Sequence, residues 1–391
     1  MDYHFDQLIN RRGTGSYKWD EATAGDVIPL WVADMDFHVA PAIEEALRRR
    51  VEHGIFGYTL VPDRYYEAVI SWFARRHHWT LQRDWIQYTS GVVPALSVII
   101  KALTLPGDEV IVQTPVYNCF FSSIRNNGCA IVENPLRYNK DKRQPDYTID
   151  FDDLERKAAS EKARLLLLCN PHNPAGRVWT PAELSRVNDI CSRHGVRVVA
   201  DEIHCELTFE GHDYTPFASV SADCLRNSIT CSSPSKAFNT AGLQIANIIC
   251  TDAGIRDRIN RAININEVCD VNPFGVEALI AAYNDSEEWL DALRRYLEDN
   301  YRMLCGFFSQ HLPHLKVTRM EGTYLAWIDC SSLGKTSDCL TRELLDQGRV
   351  MVNSGTMYGA AGEGFIRINM ACPQSRLREG LQRMLPLLRQ D

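Results

Sequence analysis

The chain has 391 residues, 45% hydrophobic and 24% charged, with a formal net charge of −8; that length predicts two domains and that composition excludes a disordered chain. The acidic balance, with no Lys/Arg stripe interleaved with aromatics, excludes nucleic acid as an expected partner. Thirteen cysteines, scattered and never in a Cys-x-x-Cys pair, argue against a disulfide framework and a zinc site and fit a reducing, cytoplasmic setting.

In chain order, residues 1–20 carry charges throughout and contain no apolar core, so no secretory signal is expected. The longest apolar stretch, VVPALSVII at 92–100, falls short of the roughly 20 residues that span a membrane, so no membrane partner is expected. From about 85 to 285, short β-branched runs alternate with amphipathic segments, which predicts an α/β fold: a three-layer αβα large domain around a mostly parallel sheet. The predicted strands are EVIVQ (109–113), AIVE (130–133), RLLLLC (164–169), VRVVA (196–200), SITC (228–231) and IANIIC (245–250). RLLLLC and VRVVA are apolar almost throughout, as strands covered on both faces require. Thr180, Pro181 and Glu183 mark a helix start. Beyond 285 the texture changes to a long helix over 286–312, strand-like KVTRM, TYLAWIDC and GFIRINMAC, and a closing helix over 375–388. This predicts a smaller α+β domain, with 49–284 as the large domain and 1–48 plus 285–391 as the small one.

Ligands of open α/β sheets collect beyond the carboxyl ends of the strands. Four polar stretches fall there or at a helix start: TSGVVPAL (89–96), NPHNPAGRVW (170–179), DEIHCE (201–206) and SSPSKAFN (232–239). Ser90 and Gly91 enter a helix whose unpaired N–H groups suit a phosphate, and Ser233 offers a hydroxyl. Asp201 suits a protonated ring nitrogen, Asn173 an oxygen on the same ring, and Tyr117 the face of that ring. Lys236 has no acidic partner within 230–242, which favours its neutral, nucleophilic form. Together these describe a seat for pyridoxal 5'-phosphate. The chain has no G-x-G-x-x-G at SGVVPAL, so a dinucleotide is not expected. The spacing of His204, Glu206 and His212 fits no metal-ligand pair, so no metal is expected.

The order SGVVPAL, PVY, NPHNPAG, DEIH, S-x-SK and GFIRINMA resembles that of the fold-type-I pyridoxal-phosphate enzymes, the aspartate aminotransferase superfamily (aminotransferase class I/II). FDQLINRRGTGSYKWD, PLWVADMDF, GIFGYT, DEIHC and SKAFNTAGLQIAN narrow the resemblance to the carbon–sulfur β-lyases of the MalY/PatB, cystathionine β-lyase type. The resemblance implies cleavage of cystathionine or related cysteine S-conjugates, with Lys236, Asp201 and Tyr117 as the catalytic set. Lys236 would bond to the cofactor aldehyde, Asp201 pair with the pyridine nitrogen, Asn173 contact the ring hydroxyl and Tyr117 stack on the ring. Ser233 and the backbone of Gly91 and Val92, beside Ser90, would hold the phosphate, and Arg367 the substrate carboxylate.

Further implications concern the outer site. Tyr58 would reach the cofactor of the neighbouring subunit, making a homodimer with shared active sites. Trp31, Asp36 and Tyr58 would line the substrate side, and Asp34 with Asp36 would favour an amino-bearing distal group. Two positions depart from the wider family: His204 replaces a tyrosine expected to touch the ring oxygen, and Gln244 replaces a phosphate-neutralising cation. The same core motifs serve an aminotransferase acting on a small amino acid. A third class, a regulatory protein that keeps the fold to bind a protein partner, has no need of Lys236, Asp201, Asn173 and Arg367.

Overall fold

A computed structural model describes residues 3–21, 25–265 and 270–389. Its centre is a seven-stranded sheet made of β1 (Ile86–Thr89), β2 (Glu109–Val112), β3 (Ala130–Glu133), β4 (Ala163–Cys169), β5 (Arg197–Asp201), β6 (Ser228–Ser232) and β7 (Ala246–Ile249). The spatial order is β1-β7-β6-β5-β4-β2-β3, with β7 antiparallel to both its neighbours and the remaining pairs parallel. Six of these strands coincide with predicted ones to within a residue or so. The seventh, β1, reads IQYT with a half-buried centre and lacks the apolar run that marks the others.

Alternation along the parallel strands divides the core in two. Val110, Val112, Leu165, Leu167 and Val199 face one side, where they pack with α3 (Val92–Leu103), α4 (Asn118–Asn126) and α6 (Ala253–Asn264). Ile111, Leu166, Leu168, Val198 and Ala200 face the other, against α5 (Pro181–Arg193). A strand buried on both faces has no room for polar residues, which is why RLLLLC reads as it does. In α3 the apolar stripe Val92, Ala95, Leu96, Ile99 and Ile100 repeats every three to four residues and is buried throughout. At α5, Thr180 accepts from the Glu183 N–H and the Glu183 carboxylate accepts from the Thr180 N–H, a complete capping box ahead of Pro181.

The second sheet has four antiparallel strands in the order β8 (Lys316–Val317), β9 (Leu325–Asp329), β11 (Phe365–Asn369), β10 (Asn353–Ser354). The long helix predicted over 286–312 is α8 (Glu287–His311), and the closing helix is α9 (Gln374–Leu388). Residues Ile28–Pro29 pair in parallel with Val350–Met351, which ties the amino-terminal segment to the carboxyl-terminal region. The boundary expected between 48 and 49 falls inside α1 (Pro41–His53), a continuous helix. With α2 (Asp63–His77), α1 packs on α7 (Pro273–Asp285), on the other side of the large sheet's residues in sequence.

Between the two sheets runs a buried ion pair. Arg177 Nε meets Glu321 Oε2 at 2.9 Å, and the Val178 N–H donates to the same oxygen at 2.9 Å. Removing one member of such a pair leaves a desolvated charge and costs about 3 kcal/mol or more, so this contact fixes the loop after β4 against the segment entering β9.

Candidate active site

The carboxyl ends of β1, β2, β4, β5 and β6 open onto one cavity of about 190 Å³, whose walls include Ser90, Tyr117, Asn173, Asp201, His204 and Lys236. This convergence follows from the topology: parallel strands end at one edge, so residues scattered from 90 to 236 in sequence become neighbours there.

One corner suits an anion. The first backbone bond of α3 runs from the Ala95 N–H to the Gly91 carbonyl at 3.0 Å, and no side chain caps the helix. Pro94 has no N–H to leave over, so the amides at 91–93 are the unspent donors, and they line the cavity. The Ser233 hydroxyl donates to the Ile245 carbonyl at 2.7 Å and accepts from the Ser235 N–H at 3.1 Å. Ser233 thus buttresses the turn, and Ser235 is the hydroxyl residue on the cavity wall beside Lys236. Gln244, with a left-handed φ of +51°, stands on the same wall and brings no charge.

The floor carries Asp201, the last residue of β5. Burial pushes its carboxyl up to about 7, opposed by the Ile203 N–H at 3.2 Å and by the charge of Lys236. Lys236 is pushed the other way, down to about 8, first by burial and then by Arg367, while Asp34, Asp201 and Cys119 resist the shift. The part of its surface that remains open faces the cavity, and its amine donates to the Ala33 carbonyl at 2.6 Å. Two groups that would sit at extreme values in isolation are therefore both brought near neutrality, the hallmark of an acid–base site.

His204 completes the inner wall, and Arg367 stands next to it, bonded to the wall residue Asn173. Burial, with Lys236 and Arg367 nearby, lowers His204 to about 3, so its ring is neutral, and its Nδ1 is buried with no hydrogen-bond partner. Tyr324 packs its ring edge-on against His204 and donates to the Ala33 carbonyl at 3.0 Å. Arg367 lies over the Tyr358 ring, donates to Asn173 Oδ1 at 3.1 Å and to the Trp31 carbonyl at 2.9 Å, and keeps a buried, unpartnered Nε. With its oxygen committed to Arg367, the Asn173 amide presents its donor group to whatever fills the cavity. Tyr117 precedes α4, and burial, then Cys119, pushes its phenol well up, so it acts as a neutral ring.

Other expected residues stand elsewhere. Asp36 is buried at 2% exposure and belongs to an ion cluster: Lys18 Nζ at 3.1 Å, Arg11 at 2.8 Å and the Trp19 indole N–H at 2.8 Å. Burial alone would raise its pKa, but Lys18, Trp19 and Arg11 outweigh that and hold it below the usual carboxylate range. Asp36 therefore does not line the substrate side, and Asp34, paired with Arg11 at 2.7 Å, has no charge left over to select an amino group. Trp31 meets Arg367 through its carbonyl, while its indole N–H donates to the Lys18 carbonyl at 3.0 Å and its ring lies against Tyr17. Tyr58 is 96% exposed in a run with Ile55, Phe56 and Leu60, away from the cavity wall of its own chain.

Sequence reading passed over three residues. Ser235 adjoins Lys236 and was signalled by that adjacency alone. Asn239 receives the Met35 N–H at 3.0 Å and donates to the Met35 and Phe37 carbonyls, and Asn369 donates to the Val32 and Asp34 carbonyls. Both pin the segment that roofs the site by its backbone, an interaction that side-chain patterns do not announce.

The donor set fits pyridoxal phosphate: open helix amides and a serine for the phosphate, a buried acid for the pyridine nitrogen, an unpartnered imidazole nitrogen and a free amide donor for the ring oxygen, and an amine near neutrality for the aldehyde. The chain belongs to the aminotransferase class I and II family, whose model matches residues 25–384. It is 42% identical over 385 residues to cystathionine beta-lyase PatB of Bacillus subtilis (strain 168), covering 97% of this chain and 98% of that protein. It is 32% identical to Protein MalY of Escherichia coli (strain K12), with 99% of each covered. The structure of cystalysin from Treponema denticola, which contains a pyridoxal 5'-phosphate cofactor, superposes with a TM-score of 0.95 at 35% identity, covering 99% of each chain.

Proposed function

We propose that the protein is a pyridoxal-phosphate-dependent carbon–sulfur β-lyase that cleaves cystathionine or related cysteine S-conjugates to a thiol, pyruvate and ammonia. The observation that carries this reading is the meeting of Lys236, Asp201 and Asn173 around one cavity, with Arg367 hydrogen-bonded to Asn173, in a chain 42% identical to PatB over nearly its whole length.

When bound, the cofactor supplies an electron sink for the bond-breaking at the substrate α-carbon. The residues do the rest. Arg367, planar and oriented by Asn173 and the Trp31 carbonyl, binds the substrate carboxylate in a two-pronged pair. Lys236 Nζ takes the α-proton, and its lowered pKa leaves a useful neutral fraction near physiological pH. Asp201 would keep a proton on the ring nitrogen of the bound cofactor. His204, neutral and unable to compete for that proton, would serve the ring oxygen. Tyr117, a neutral ring on the cavity wall, would cover the ring face and exclude water.

Reaction of the cofactor-free protein with pyridoxal phosphate should speed up as pH rises through about 8, because the neutral Lys236 amine is the reacting form. Stopped-flow absorbance across pH 6.5 to 9.5, intervals on the order of those in which such amines titrate, checks this; a rate flat over that window contradicts it.

Incubation with cystathionine, and separately with common amino acids plus 2-oxoglutarate, tests the reaction type. Prompt pyruvate and thiol without 2-oxoglutarate support the lyase; ketone formation that requires 2-oxoglutarate assigns the chain to transamination instead.

The functional unit in this reading is a homodimer in which Tyr58 enters the partner's site. Its support is the exposed apolar run Ile55, Phe56, Tyr58 and Leu60, at 68, 54, 96 and 89% exposure. Tyr58→Ala should weaken cofactor retention on dialysis by about tenfold, the cost of one lost hydrogen bond to a charged group. A monomer in sedimentation with full activity contradicts the shared site. No helix among the described residues is long and apolar enough to cross a membrane.

A further inference from the structure

Outside the active-site cavity, among the described residues, the ligand atoms of His77, Cys205 and Glu206 all lie within 4.8 Å of one another. His77 ends α2, whereas Cys205 and Glu206 lie in the turn after β5, just past His204. His77 Nε2 stands 2.7 Å from Glu206 Oε1, the Trp72 indole N–H donates to the same oxygen at 2.6 Å, and Cys205 Sγ lies 3.5 Å from it. The other carboxylate oxygen, Oε2, is buried and accepts no hydrogen bond; its nearest cation is Arg76 Nε at 4.0 Å. Glu206 itself is 4% exposed. All three side chains border a second, polar cavity whose walls also include Asp213, Tyr214 and Glu287.

We propose that His77 Nε2, Cys205 Sγ and the Glu206 carboxylate form a binding site for a thiophilic divalent cation, Zn²⁺ by donor chemistry, with a water from the adjoining cavity as fourth ligand. The mixed sulfur, nitrogen and oxygen set is the reason. Magnesium and calcium select oxygen ligands alone, whereas zinc accepts thiolate, imidazole and carboxylate together in a tetrahedron with one open position. The buried Oε2 supplies lone pairs that no hydrogen bond uses. Trp72 fixes the orientation of the carboxylate from behind, the outer-shell support that metal-binding carboxylates have. The cavity also holds cations: Arg76 is paired with Asp291 at 2.9 Å and Glu287 at 3.0 Å, Arg75 with Glu287 at 3.4 Å and Arg294 with Asp291 at 3.6 Å, so each charge that opposes a metal ion is offset. On binding, the Cys205 thiol passes its proton to solvent and the metal–sulfur bond takes its place. Ligands 129 positions apart leave no spacing motif, so the cluster is invisible until the chain is folded.

The test uses the full, cofactor-saturated chain, stripped with a chelator and desalted. Titration with Co²⁺ should give one equivalent per chain and a near-ultraviolet thiolate-to-cobalt band, and Zn²⁺ should displace it. Cys205→Ser should abolish the band, and His77→Gln should weaken Zn²⁺ binding by about tenfold or more, with circular dichroism confirming that each variant folds. Cys339→Ser, at an exposed thiol on the helix Ser337–Asp346, should keep both the band and the affinity. Absence of a thiolate band in the unaltered chain overturns the proposal whatever the variants do, as does a band that survives Cys205→Ser. The cluster would then be a plain charge-assisted anchor of α2.

Discussion

Lys236→Ala should cut turnover of a cysteine S-conjugate by roughly 10²–10⁴-fold through loss of its general base alone, and further through loss of the covalent hold on the cofactor. The amine is placed for both roles. Its contact with the Ala33 carbonyl puts it under the roof of the cavity, with Asp201 below and Arg367 beside it. Burial and the Arg367 charge lower its pKa to about 8, so the barrier to using it as a nucleophile or base is small at neutral pH. Two readouts separate the roles. Denaturation of the variant should release all cofactor unbound to protein, which reports the lost attachment. Addition of a small primary amine should restore part of the rate, which reports the lost proton transfer. Retention of turnover within about tenfold of the parent contradicts the assignment.

Asp201→Ala should lower kcat by about 10²–10³-fold, the scale of losing one preorganised electrostatic contact in a dry site, while KM changes little. The reasoning rests on position. Asp201 ends a strand buried on both faces, 3% exposed, and its carboxylate accepts a hydrogen bond from the Ile203 N–H. A carboxyl there pays for burial by rising to about 7, and it regains the charged form when a protonated ring nitrogen lies against it. In the proposed mechanism Asp201 serves the cofactor ring and Arg367 the substrate, so affinity for substrate should survive the removal of Asp201. A variant whose KM rises in step with the fall in kcat/KM would assign Asp201 to substrate binding instead.

The central sheet and the inner wall were legible because their signals are local. A strand that must be apolar on both faces announces itself, and the polar stretch after it marks the edge where ligands collect; Asp201 at the end of β5 and Asn173 after β4 follow directly. The amino-terminal roof was legible only as a resemblance. Its contribution is made by the carbonyls of Trp31, Val32, Ala33 and Asp34, held by Arg367, Asn369, Lys236 and Tyr324, and a backbone carbonyl has no residue type to read. Asp36 shows the converse. Its charge suggests a substrate contact, but Lys18 and Arg11, 18 and 25 positions earlier, fold back to neutralise it. Ser233 and Ser235 differ by two residues and are placed differently: the turn before Lys236 directs the Ser233 hydroxyl to the Ile245 carbonyl and sets Ser235 on the cavity wall.

The most direct test of the account is where the cofactor is attached. Borohydride reduction of the cofactor-saturated protein, followed by proteolysis and mass spectrometry, should place a single phosphopyridoxyl group on the peptide containing Lys236. A label on any other lysine, or none in saturated protein, would contradict the account at its root.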